Sequence, residues 1–189
     1  MSENIQTQAQ EEKNNLNMPE YTSGQEVINN IPYATMLLLG MIIFIVAFSE
    51  SIWGTIAGFA YLIYGIAGAV WIMIFVCPYC RYWDTKSCPC GYGRIASRFQ
   101  QKSSVECFSE KFKKHIPVIV PLWFIPLLAS VPVLMNGFSW LLLALLLIFT
   151  VDAFIILPLI STKHGCKECP QKETCPWMKH RIKPRTNNT

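Results

Sequence analysis

The sequence predicts an all-α integral membrane protein: a bundle of four transmembrane helices, built as two helical hairpins, with a cysteine-rich cytoplasmic cap. Three observations predict it. The chain of 189 residues is 52% hydrophobic and only 15% charged, where soluble domains carry about 25% charged residues. Four apolar stretches are each long enough to cross a bilayer, which takes about 20 helical residues. Lysine and arginine gather on one side of those stretches.

The first residues, MSENIQTQAQEEKNN, are too polar for a secretion signal, which needs a basic start and an apolar centre. Glu3, Glu11, Glu12, Glu20 and Glu26 stand there against the single Lys13. Residues 1–30 therefore read as a disordered, acidic and polar tail.

The first hairpin covers residues 31–76. Its spans, 31–48 and 52–76, hold no charge and are joined by Ser49, Glu50 and Ser51. Gly54 and Gly58, then Gly65, Gly68 and Ala69, place small residues at a spacing that lets helices approach closely, inside the bundle or between subunits. The second hairpin covers residues 116–160. Its first span carries Pro117, Pro121, Pro126 and Pro132, which predict kinks. Its second span holds one charge, Asp152, and the turn between them is Asn136–Gly137. Lipid offers no partners to loose backbone groups, so all four spans are expected to be helical.

A long polar link, residues 77–115, joins the hairpins, and a basic tail follows at 161–189. The link holds eight Lys and Arg, the tail holds seven, and Lys13 completes the 16. The short turns hold none. Cytoplasmic loops are the ones enriched in Lys and Arg, so both termini, the link and the tail are expected in the cytoplasm. The expected location is a prokaryotic cytoplasmic membrane. The bilayer is the first partner. Other membrane or cytoplasmic subunits are expected too, because the chain has no large soluble domain of its own.

All eight cysteines fall on that cytoplasmic side. Cys77, Cys80, Cys88, Cys90 and Cys107 lie in the link; Cys166, Cys169 and Cys175 lie in the tail. A reducing compartment disfavours structural disulfides. Spans two and four end just before Cys77 and Cys166, at one membrane face, so the two groups are expected to meet. Their order is Cys-x2-Cys-x7-Cys-x-Cys and then Cys-x2-Cys-x5-Cys, with Cys107 apart as the weakest candidate. A Cys-x2-Cys pair suits two thiolates on one metal, and zinc sites and iron–sulfur clusters both use four. The expected cofactor is thus zinc or an iron–sulfur cluster, with the cysteines as metal ligands. Arg81, Lys86, Arg94, Lys167 and Lys172 are placed to favour thiolates, and also to meet anionic lipid.

Cys77-Pro78-Tyr79-Cys80 resembles the active-site motif of glutaredoxins, where Cys-Pro-Tyr-Cys opens a helix after a strand. That resemblance implies dithiol redox chemistry. It covers four residues, and here the motif closes a membrane helix, where the dipole opposes a thiolate.

Asp152 is a candidate cofactor-binding residue. An intramembrane carboxylate is costly to bury, and it suits a proton relay, a headgroup or quinone contact, or a helix-locking hydrogen bond. No span holds a histidine; His115, His164 and His180 lie outside them, and His115 and His164 are further metal-ligand candidates. Phosphate-cradling glycine loops, dinucleotide fingerprints and His-Glu-x-x-His are absent, and no nucleic-acid module is present. The functional expectation is an electron-transfer subunit of a membrane complex. The alternatives are an accessory or assembly subunit with a structural zinc cap, and a membrane thiol–disulfide oxidoreductase using Cys77 and Cys80.

Overall fold

In the computed structural model the described residues are 20–166, 169–172, 175, 176 and 178. Among them the protein is entirely helical, with no strand. The long helices are α1 (Ser23–Ala47) and α2 (Ile52–Phe75). Two short helices, α3 (Tyr92–Ala96) and α4 (Phe108–His115), lie in the link. The second hairpin is α5 (Pro121–Asn136) and α6 (Trp140–Val151). Helix α6 continues through a wide π turn at Asp152–Ile156, one α turn at Leu157–Ile160 and a second π turn at Ser161–Cys166. Four helical segments are long and apolar enough to cross a membrane: Ser23–Ala47, Ile52–Tyr79, Val105–Asn136 and Trp140–Lys163.

Helix α1 is the hub of the bundle, packing against α2, α5, α6 and the first π turn. Met36, Ile43, Leu122, Leu142 and Phe149 fill the core. Leu38, Ile42, Phe59, Ile63, Leu128 and Leu147 point outward and are exposed. An apolar outer surface on this scale is what hydrocarbon, rather than water, favours. Trp53 and Trp140, at the starts of α2 and α6, are exposed at the end away from the link, as in an aromatic belt.

Glycine sets the α1–α2 distance. A Cβ on Gly58 would stand 2.8 Å from the Met41 carbonyl oxygen, and one on Gly54 2.7 Å from that of Phe48. The small-residue stripe of α2 therefore packs inside the bundle.

The prolines of the second hairpin leave carbonyls without helical donors, and neighbouring side chains take them over. Pro126 has no N–H for the Leu122 carbonyl, which accepts instead from the Tyr61 hydroxyl at 2.9 Å. Pro121 likewise denies a donor to Val118, whose carbonyl accepts from the Tyr64 hydroxyl. In the π turn the Leu157 amide bonds back to Asp152, and Pro158 has no amide to give. The Ala153 carbonyl is thereby freed, and the Trp123 indole N–H reaches it at 3.1 Å. This is how a membrane bundle tolerates proline.

Helix α1 starts eight residues before the apolar stretch that begins at Ile31. Thr22 and Gln25 form a reciprocal capping box over its first turn, so part of the expected polar tail is helical. Glu26 is buried there. Residues 1–19 of that tail lie outside the described residues.

Candidate functional site

The link is held on the bundle from several directions. The Tyr21 amide bonds to the Lys86 carbonyl at 2.9 Å, and the Ser103 amide to the Pro78 carbonyl at 2.9 Å. Glu26 of α1 pairs with Arg94 of α3. Two asparagines of α1 clamp the second cysteine pair: Asn29 donates to the Pro89 carbonyl at 2.9 Å and Asn30 to the Cys90 carbonyl at 3.0 Å. Gln171 fastens the C-terminal segment. Its Oε1 accepts from the Arg81 amide at 3.0 Å, and its Nε2 reaches the carbonyls of Tyr79 and Val105 at 3.4 and 3.3 Å.

These ties bring seven cysteines to one cavity of about 280 Å3. Cys77, Cys80, Cys88 and Cys90 come from the link, and Cys166, Cys169 and Cys175 from beyond the fourth span. Phe108, Phe112 and Ile160 supply apolar wall. Cys107 is not on that wall; it stands at the start of α4.

In both Cys-x2-Cys pairs the amide of the second cysteine bonds to the carbonyl of the first. The Cys80 amide bonds to the Cys77 carbonyl at 3.0 Å, and the Cys169 amide to the Cys166 carbonyl at 3.3 Å. In Cys88–Gly91 the Gly91 amide returns to the Cys88 carbonyl at 3.1 Å, with Gly91 at φ 72°, a left-handed conformation that glycine adopts at little cost. Three sulfurs accept backbone N–H groups: Cys88 from Gly93 at 3.4 Å, Cys80 from Tyr82, and Cys169 from Gln171. A hydrogen bond to sulfur favours its charged form.

The thiols also neighbour one another electrostatically as one connected group. Cys77 neighbours Cys88, Cys80 and Cys90, and Cys90 neighbours Cys88 and Cys166. Cys80 neighbours Cys169, Cys88 and Cys175, and Cys169 neighbours Cys175.

Burial pushes the Cys80 and Cys90 thiols up to about 12. Neighbouring thiols add to both, and the Glu26 carboxylate adds to Cys90. Cys169 is also raised, by burial first, with the Gln171 amide, Lys172 and Arg81 working against the rise. Of the basic residues expected beside the cysteines, Lys172 and Arg81 thus stand by a sulfur, while Arg94 is engaged with Glu26. Lys167 lies outside the described residues.

Among the described residues no three Cys, His, Asp or Glu side chains stand close enough together to hold a metal ion as they are. The seven thiols share a cavity without converging on one point. His115 is not on its wall; its ring stacks on Phe75, with centroids 4.9 Å apart. His180 and the side chain of His164 lie outside the described residues. Asp152 is buried in the bundle at the start of the π turn, its Oδ2 without a hydrogen-bond partner among the described residues. It does not line the cysteine cavity.

Sequence reasoning missed Asn29, Asn30 and Gln171, the amides that hold the cavity together. Gln171 alone had a readable cue, its place inside a Cys-x2-Cys-x5-Cys run. No family model, curated protein or solved structure matches the chain.

Proposed function

We propose that the seven cavity cysteines ligate a metal centre, an iron–sulfur cluster or zinc, and that the protein is an electron-transfer subunit of a membrane complex. The observation that carries this reading is the shared cavity. Cysteines from two segments separated by two membrane spans line a single space. Both zinc and iron–sulfur sites use four thiolates, and the seven thiols of this cavity are enough for one such centre.

Charge supports it as well. Thiols crowded by burial and by one another are held neutral, and a metal cation supplies the positive charge that lets them ionise. The N–H groups on Cys80, Cys88 and Cys169 are of the kind that stabilise ligated sulfur. The same crowding weighs against the dithiol reading of Cys77 and Cys80, because a redox-active cysteine needs a lowered pKa. Binding draws the ligating thiols inward; zinc–sulfur bonds are about 2.3 Å long.

A soluble donor or acceptor meets the centre from the link side. That side faces the cytoplasm in this reading, because the link and tail carry the basic residues. The second reading is an accessory subunit whose cap is tied by zinc and docks a partner. The dense ties of the link to α1 and to Gln171 support that reading equally.

Anaerobic purification in detergent, with iron, zinc and acid-labile sulfide measured on one sample, tests the proposal. Iron with sulfide supports electron transfer. Zinc without iron supports the structural cap. Neither metal, with all seven thiols free, contradicts both.

A further inference from the structure

A cavity of about 410 Å3 lies between the first turns of α1 and helix α3. Its wall includes Glu26 and Val27 from α1, and Arg94, Ile95 and Arg98 from α3 and the turn that follows it. That turn continues the helix, since the Gln100 amide bonds to the Ala96 carbonyl at 2.9 Å. Arg94 and Arg98 therefore share one helical face, and Ile95 and Phe99 share the next.

The charges on this wall do not cancel. Glu26 is buried and engaged with Arg94, whereas Arg98 is exposed and forms no ion pair among the described residues. One carboxylate against two guanidiniums leaves one positive charge unmatched. Ile95 and Phe99 belong to the polar link, yet they are exposed, at 48% and 51%. Depth accounts for both features. Glu26 precedes Ile31, where the apolar stretch begins, by five residues, about 7 Å of helix rise. The headgroup layer on each side of the hydrocarbon is about 5–8 Å thick, so the cavity lies at headgroup depth. From it, Val27, Ile31, Leu38 and Ile42 are exposed along α1 at intervals of four, seven and four residues. They form one continuous face leading into the hydrocarbon.

We propose that this cavity holds the headgroup phosphate of an anionic glycerophospholipid. Arg98 meets the phosphate, Arg94, held by Glu26, flanks it, and an acyl chain runs down the face from Val27 to Ile42. Ile95 and Phe99 rest at the acyl boundary, as the apolar side of an interfacial helix does. A phosphodiester carries one negative charge, which matches the unmatched arginine. A free phosphate compound would use the same arginines and none of the apolar face. The proposal rests on the four spans and is independent of the metal centre.

Native mass spectrometry of the delipidated full chain in detergent tests it, with dimyristoyl phosphatidylglycerol, dimyristoyl phosphatidylcholine and glycerol 3-phosphate as probes. Phosphatidylglycerol should bind saturably and about 5-fold more tightly than phosphatidylcholine, whose choline cancels its phosphate. Glycerol phosphate lacks the chains and should bind at least about 100-fold more weakly. Arg98→Gln, a change at an exposed side chain, should remove the preference for phosphatidylglycerol. Lys102→Gln, at a link lysine off the cavity wall, should keep it. Lipid binding that does not saturate, equal binding of the two lipids, or equal loss of the preference in both variants overturns the proposal; the last result assigns the preference to the diffuse charge of the link. Glycerol phosphate binding as tightly as the lipid overturns it too, and assigns the cavity to a soluble phosphate compound.

Discussion

The hydrogen bond between Tyr61 and Leu122 should be worth much more with proline at position 126 than without it. Pro126 cannot donate to the Leu122 carbonyl, and the Tyr61 hydroxyl replaces the missing N–H at 2.9 Å. Tyr61 and Leu122 are both buried, at 4% and 1% exposure. Tyr61→Phe keeps the ring against Phe44, 5.9 Å away between centroids, and removes only the hydroxyl. The carbonyl is then left without a partner, at a cost of about 1–3 kcal/mol. Hydrogen bonds measured within membrane bundles average about 0.6 kcal/mol, so about 1–2 kcal/mol is the expected loss. In a Pro126→Ala background the new amide serves Leu122, and the same Tyr61→Phe change should cost less than about 0.5 kcal/mol. The coupling of about 1 kcal/mol exceeds the roughly 0.3–0.5 kcal/mol scatter of independent sites. Equilibrium unfolding of the four variants in mixed detergent and SDS measures it. An equal cost of Tyr61→Phe in both backgrounds would refute the assignment of that hydroxyl to the proline-orphaned carbonyl.

Three further outcomes follow from the site. Cys80 and Cys90, held up to about 12, are neutral thiols at pH 7 without metal. Their neutral form favours the fold below the ordinary thiol pKa, and that contribution is lost as pH rises towards 12. Metal must displace their protons, so affinity should rise about tenfold per pH unit for each displaced proton between pH 6 and 8, read by competition with a chelator. Cys107→Ser should leave metal content unchanged, because Cys107 is off the cavity wall, whereas Cys88→Ser or Cys166→Ser should lower it by at least half; equal losses in all three would contradict the ligand assignment. Gln171→Ala removes three hydrogen bonds to the Cys77–Arg81 turn and to Val105. It should cost about 1–3 kcal/mol and raise the alkylation rate of Cys169 and Cys175 in metal-free protein; unchanged labelling would show that the segment is held by other contacts.

The spans and their pairing were legible because their signals are local. A run of 20 apolar residues, a three-residue turn or a Gly-x3-Gly stripe lies within one stretch of sequence. The start of α1 was not read from the sequence, although Thr22 and Gln25 cap it. The acidic residues around it read as a tail, and Glu26 reads as solvated until its partner Arg94, 68 positions on, is in place. The meeting of the cysteines was legible through topology, as both groups follow spans that end on one face. What holds them there was not. Asn29 and Asn30 act through bonds to carbonyls 60 positions away, Gln171 acts through three bonds to backbone groups 66 to 92 positions away, and no periodicity marks such residues. The π turns were hidden for a related reason: Asp152 and Pro158 leave a carbonyl that only Trp123, from another helix, completes.

The most direct test of the central claim is X-ray absorption at the metal edge of anaerobically purified protein. The account predicts a first shell of sulfur near the bond length of thiolate ligation, about 2.3 Å for zinc, with close to four sulfurs per metal, and iron–iron scattering if the centre is a cluster. A first shell of nitrogen or oxygen, or a sample with no bound metal, would contradict it.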